Sequence, residues 1–289
     1  MSVASSSKKA FPIWTFLTIA ANTLLIAIVV LLVLRHERIA PIRSEVKIAP
    51  LPSASNQLTS TISQLEERHP LTYQQWVNLL GKEAKAIVKN KPDRLTILAG
   101  DSLSLWFPAE LLPSDRIWLN QSISGETSIG LLKRLNLFDQ TEPQAIFVMI
   151  GINDLAKGTS DQKLADSYKQ IITTLKQVHP NAKIVVQSVL PRGVNLDASL
   201  EKRQQLLEIS NKRIHTFNQS LETIAKNTEV SYLDLQSLVV DDEGYLRSEF
   251  TTDGLHLNRQ GYLVWRSAIQ IFSQLVLSQP AEKLQTLSN

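Results

Sequence analysis

The 289-residue sequence has no cysteine, which excludes disulfides, thiolate zinc sites, iron–sulfur ligation and a cysteine nucleophile. That absence fits any redox compartment. Glycine and proline, at 10 and 12 residues, are too scarce for a collagenous or low-complexity chain. Charge of one sign is scarce as well, because 30 Lys and Arg against 27 Asp and Glu leave a net +3. With no long basic run, the electrostatic footprint of a nucleic-acid binder is missing. What the chain does have is apolar residues, 43% of the total, enough for a buried core. At roughly 150 residues per domain the length allows one large domain with an appendage, or two small ones.

The longest apolar run, FPIWTFLTIAANTLLIAIVVLLVL over residues 11–34, carries no charge and is long enough to cross a bilayer as a helix. A cleaved signal peptide is the competing reading, but its apolar region is about 7–15 residues and a small-residue cleavage site follows it. No such site follows Leu34. A buried soluble helix is the third reading, and this run lacks the polar face that one would show. The expectation is a transmembrane anchor. Its orientation is not set by flanking charge, since Lys8 and Lys9 precede the span while Arg35, Arg38 and Arg43 follow it. The expected organisation is a short tail (1–10), the anchor (11–34), a Pro-, Ser- and Thr-rich stalk (35–69), a catalytic-sized domain (70–278) and a C-terminal tail (279–289).

Within 70–278, short apolar runs at Leu95–Ala99, Arg116–Asn120, Ala145–Ile150, Lys183–Leu190 and Val230–Leu235 read as five strands. Amphipathic segments near Thr72–Lys89, Ser102–Leu112, Thr127–Leu137, Asp161–Val178, Leu200–Lys226 and Arg259–Leu277 read as helices. Strand alternating with helix implies right-handed crossovers and a parallel sheet covered on both faces. The expectation is therefore a three-layer α/β/α, flavodoxin-like domain with strand order 2-1-3-4-5. In such a sheet ligands bind beyond the carboxyl ends of the strands.

Three of those carboxyl-end loops are unusually polar. Strand one runs into Gly100-Asp101-Ser102, where the glycine permits a sharp turn and Ser102 falls at a helix N-terminus, either as a cap or as a reactive hydroxyl. Strand two leads to a loop containing Gly125, and strand three to Gly151-Ile152-Asn153-Asp154, where Asn153 is either a turn residue or a donor aimed into a cleft. After strand five comes Thr252-Asp253-Gly254-Leu255-His256. Of the five histidines only His256 has a carboxylate three residues before it in a loop at this end. Asp253 and His256 on one tight loop can hydrogen-bond, which fixes the ring's tautomer.

Serine is a poor nucleophile alone, so acyl transfer needs a base to take its proton and donors to hold the oxyanion. Ser102 as nucleophile, His256 as base and Asp253 as its orienting acid meet the first need. The backbone N–H groups of Ser102 and Gly125 and the side-chain amide of Asn153 meet the second. The G-x-S-x-G elbow of α/β-hydrolases is absent around Ser102. The four blocks GDSLS, NQSISGETS, GIND and DGLHLN, in this order from about Leu95 to Leu277, instead resemble the SGNH (GDSL) hydrolase superfamily. The second block is similar to that of bacterial thioesterase/lysophospholipase members. VLPRG (Val189–Gly193) and the DGLHLN…GY stretch through Tyr262 are more similar to the platelet-activating-factor acetylhydrolase branch.

The resemblance implies a serine ester hydrolase with Ser102, Asp253 and His256 as its triad and Ser102, Gly125 and Asn153 as its oxyanion hole, working without metal or organic cofactor. The implied substrate is a small-molecule, lipid or carbohydrate ester. The same residues would also serve an acyltransferase or a thioesterase, and a catalytically idle envelope-binding module is the reading from another class. Trp106 and Phe107, one turn after Ser102, either line an acyl pocket or pack helix against sheet. Arg192 either touches a polar head group or is solvated. An anchor plus a stalk suits work on envelope material, so the expected location is the plasma (inner) membrane, with the catalytic domain outside.

Overall fold

The computed structural model describes residues 71–193 and 210–277. The anchor and stalk expected over 11–69, the C-terminal tail and the first part of the segment expected to be helical from Leu200 lie outside the described residues. Among the described residues no helix is long and apolar enough to cross a membrane.

In chain order the elements are α1 (Tyr73–Asn90), β1 (Leu95–Gly100), α2 (Ser102–Leu105), β2 (Ile117–Asn120), α3 (Ser128–Lys133), β3 (Ala145–Met149), α4 (Ile152–Ala156), α5 (Asp161–Val178), β4 (Lys183–Gln187), α6 (Asn211–Asn227), β5 (Ser231–Leu233), α7 (Gln236–Val239) and α8 (Arg259–Phe272). The five strands form one parallel sheet in the order β2-β1-β3-β4-β5, the order expected. Every residue of β1 and β3 is buried. Burial of consecutive residues, which point to opposite faces, means that both faces of the sheet are covered.

Local chemistry sets the helix ends. A capping box starts α1: the Thr72 hydroxyl accepts the Gln75 N–H at 3.3 Å and the Gln75 side chain accepts the Thr72 N–H at 2.7 Å. Ser160, Ser210 and Asn258 cap α5, α6 and α8. Two expected helices are corrected. The segment 102–112 is one turn, α2, then a 3-10 turn at Ala109–Leu111, because Pro108 has no N–H to donate and disfavours helical backbone just before it. The segment 127–137 breaks after α3 at Arg134 (φ −120°, ψ 10°), whose side chain runs inward. Strands β4 and β5 are shorter than the apolar runs that announced them, and beyond β4 the Ser188 hydroxyl accepts the N–H groups of Leu235 and Gln236, each at 2.8 Å.

Candidate active site

Ser102 does not cap α2. The N-cap is Asp101, whose carboxylate accepts the Leu103 N–H at 3.0 Å. The capping alternative for Ser102 is thereby removed, and its hydroxyl lies 3.1 Å from His256 Nε2. Gly100 is needed for a reason other than the turn: its φ is not positive, but a Cβ there would collide with the Met149 carbonyl oxygen on the neighbouring strand.

The histidine loop is a closed unit. The Asp253 carboxylate accepts the N–H groups of Leu255 (2.9 Å) and His256 (2.8 Å) through Oδ1, and its Oδ2 lies 2.7 Å from His256 Nδ1. The His256 carbonyl accepts from the Thr251 hydroxyl at 2.7 Å and the Thr252 N–H at 3.1 Å, and Gly254 takes positive φ (85°) to close the turn. A carboxylate only accepts, so Nδ1 carries the proton and Nε2 is left to accept from the Ser102 hydroxyl. Residues 102, 256 and 253 thus form one hydrogen-bonded chain across 154 positions of sequence.

The other two loops meet each other. Gly125 has φ 73°, a conformation open to glycine, and the Asn153 side-chain amide donates to the Glu126 carbonyl at 3.0 Å. One amide hydrogen of Asn153 is used there and the other remains. Asp154 accepts the Ser128 N–H at 2.8 Å and the Ser128 hydroxyl at 2.7 Å, so α3 and α4 are tied at their starts.

Behind these loops lies a buried polar frame that sequence reasoning missed. Arg134 pairs with Glu126 at 2.7 Å, both nearly inaccessible, and donates to the carbonyls of Gln121 (2.8 Å) and Gly100 (3.4 Å). One guanidinium thus holds the Ser102 and Gly125 loops together. Nothing in the sequence marks a buried arginine eight residues after its glutamate, although Glu126 and Asp154 do sit inside two of the motif blocks. Two further motif residues act as braces. The Tyr262 hydroxyl donates to the Leu103 carbonyl at 2.9 Å, joining α8 to α2, and the Gly193 N–H donates to the Gly254 carbonyl at 2.8 Å. A Cβ at Gly193 would press on the Leu246 carbonyl at 2.7 Å.

The two aspartates differ electrostatically. Burial opposes ionisation of Asp253, but hydrogen bonds from the His256 ring and from the His256 and Leu255 N–H groups outweigh it and hold its carboxyl below the ordinary range. Asp101 is fully buried, and that desolvation, reinforced by Asp154 and Glu126, pushes it up to about 7 against the backbone N–H groups of Leu103 and of Asp101 itself.

The remaining expectations divide. Trp106 is 50% exposed, with its ring centroid 4.2 Å from that of His256. For Phe107 the structure shows the packing alternative: it is buried against Tyr262 and Trp265 at centroid distances of 5.0 and 5.1 Å. The cavity of about 510 Å³ that Phe107 borders lies between α1 and β2 and is not lined by Ser102 or His256. Arg192 is buried rather than solvated, and its backbone N–H and C=O both bond the Asn211 side chain, at 2.8 and 2.7 Å. Among the described residues no group of three or more His, Asp and Glu stands together as a metal site.

Residues 99–264 match the model of the GDSL-like lipase/acylhydrolase family. Among curated proteins the chain is 26% identical over 213 residues to platelet-activating factor acetylhydrolase IB subunit alpha2 of Rattus norvegicus, covering 68% of this chain and 83% of that one. It is 25% identical over 177 residues to subunit alpha1 of Homo sapiens, covering 57% and 69%. Among solved structures it is similar to a Streptococcus pneumonia protein named for platelet activating factor, with a TM-score of 0.61, 23% identity and coverage of 74% and 98%. A GDSL-like lipase from Bacteroides thetaiotaomicron has the same fold, with a TM-score of 0.56, 19% identity and coverage of 69% and 98%.

Proposed function

Because the chain belongs to the GDSL-like lipase/acylhydrolase family and is an ester-bond hydrolase, we propose that Ser102, His256 and Asp253 carry the reaction through a covalent acyl-enzyme. The observation that carries this reading is the unbroken hydrogen-bonded chain from the Ser102 hydroxyl through the imidazole to Asp253. Ser102 Oγ attacks the acyl carbon while its proton passes to His256 Nε2. The new oxyanion is received by the N–H groups of Ser102 and Gly125 and by the free amide hydrogen of Asn153. The imidazolium, supported by the Asp253 carboxylate, then protonates the leaving alkoxide as the C–O bond breaks. Water, deprotonated by His256, releases the acid and restores the hydroxyl. Each oxyanion donor contributes about 10²–10³ in turnover.

The substrate we propose is a short acyl ester of a lipid or envelope carbohydrate. The relatives named as acetylhydrolases favour a short acyl group. The uncharged run over 11–34 favours a substrate at the membrane, with that run as the anchor and the domain on the outer side. The full chain in detergent should hydrolyse p-nitrophenyl acetate or butyrate, and Ser102→Ala should abolish turnover while circular dichroism stays unchanged; equal rates in the two would defeat the reading. In a separate experiment, protease added to intact spheroplasts carrying the full chain should digest the domain, and full protection would reverse its sidedness.

A further inference from the structure

Hydrogen bonds at its two ring nitrogens hold His256 along a line, not in a plane. One runs from Nδ1 to Asp253 at 2.7 Å and the other from Nε2 to Ser102 at 3.1 Å. Once Ser102 carries the acyl group it no longer donates to Nε2, and the Nδ1 bond to Asp253 alone leaves the ring free to swing its Nε2 end out of line. A contact on the ring face is needed to stop it.

Trp106 supplies that contact. Its ring lies 4.2 Å from the imidazole, centroid to centroid, with 36° between the planes. Its backbone N–H donates to the Ser102 carbonyl at 3.0 Å, so it sits one helical turn from the nucleophile, where side chains four apart share a helix face. A large apolar side chain left 50% exposed is poorly explained by core packing, especially beside Phe107, which is only 4% exposed. The ring face is also a favourable place for the positive charge that the imidazole gains during the reaction.

We propose that Trp106 is a positioning residue that clamps the face of His256, keeping Nε2 aimed at the leaving-group oxygen when the imidazolium must give its proton back. The proposal rests on the triad reading above. Its consequence is specific to the leaving group. An alkoxide needs that proton, whereas p-nitrophenolate departs without it, so loose aim penalises alkyl esters more than nitrophenyl esters.

The test compares kcat/KM for an alkyl acetate and for p-nitrophenyl acetate in wild type, Trp106→Ala and Trp106→Phe. For a wild type that hydrolyses both esters, Trp106→Ala should lose about 10-fold more on the alkyl ester than on the nitrophenyl ester, within the 10²–10⁴ that general acid–base catalysis supplies. Trp106→Phe, which keeps a ring face, should recover most of the difference. Equal losses on the two esters, or none, would overturn the clamp while leaving the hydrolase reading intact. A wild type inactive on both esters would instead overturn the triad reading on which the clamp stands. Thermal melts of the variants remove folding as a cause, since a proportional loss of folded enzyme lowers both esters alike.

Discussion

The nucleophile turn and the histidine loop each hold an aspartate close to a catalytic candidate, and the two carboxyls are driven in opposite directions. Asp101 is pushed up to about 7, whereas Asp253 is held below the ordinary range. Burial works against the charge in both. The two differ in depth and in donors: Asp101 is fully buried and faces the N–H groups of Leu103 and of its own residue, while half-exposed Asp253 faces two N–H groups and the imidazole. Asp101 also feels the negative Asp154 and Glu126. Depth and donors together set the opposite directions of the two carboxyls. Asp253 is held charged beside the His256 ring, and Asp101 caps the turn that carries Ser102.

That contrast can be broken from either side. The largest effect belongs to Asp253→Asn, which keeps an acceptor for the backbone but takes away the charge behind the imidazole and admits the wrong tautomer. Turnover should fall by roughly 10³–10⁴, measured as kcat on p-nitrophenyl acetate. A fall of less than 10-fold would show that the loop needs no carboxylate.

Asp101→Asn should act on stability. With its folded value near 7 against about 3.9 in an unfolded chain, Asp101 keeps a proton in the native state that the unfolded chain has released. Its contribution is therefore fully present below pH 4 and is lost as pH rises from about 4 through 7. The asparagine variant retains the acceptor for Leu103 and has no such slope. In urea unfolding across pH 4.5–8, the stability gap should move steadily in favour of the variant as pH rises. A gap independent of pH would mean that Asp101 is ionised throughout. Asp253 has the opposite sign: its depressed value contributes above pH about 4 and is lost on acidification below it.

The smallest effect tests the link between the two regions. Tyr262→Phe removes the hydroxyl that bonds the Leu103 carbonyl and should cost about 1 kcal/mol in urea unfolding. No change in the midpoint would mean that α8 and α2 are held together by packing alone.

Much of this was legible in the sequence, for physical reasons. Buried strands such as Ala145–Met149 must be apolar on both faces, so they announce themselves, and α5 appears with the bounds its periodicity gives. The places of Ser102, Asp253, His256 and Asn153 were legible because each falls in a loop at the carboxyl end of a strand. Broken helices were not: Pro108 was visible, but the break at Arg134 reflects a tertiary demand, the reach of a guanidinium to Glu126, Gln121 and Gly100. Buried charges such as Arg134, Glu126 and Asp154 look in sequence like solvated ones, since only packing tells them apart. Phe107 and Trp106 are neighbours of similar chemistry, yet one ring is buried and the other lies over His256, a difference that only tertiary packing decides.

The central claim is that Ser102 is activated by His256. Its most direct test is labelling of the full chain with a fluorophosphonate, followed by mass spectrometry of the peptides. The account predicts one phosphonyl group per chain, carried by Ser102, with labelling slowed by His256→Ala and absent in Ser102→Ala. Labelling at another serine, or undiminished labelling of Ser102 in the His256→Ala variant, would contradict it.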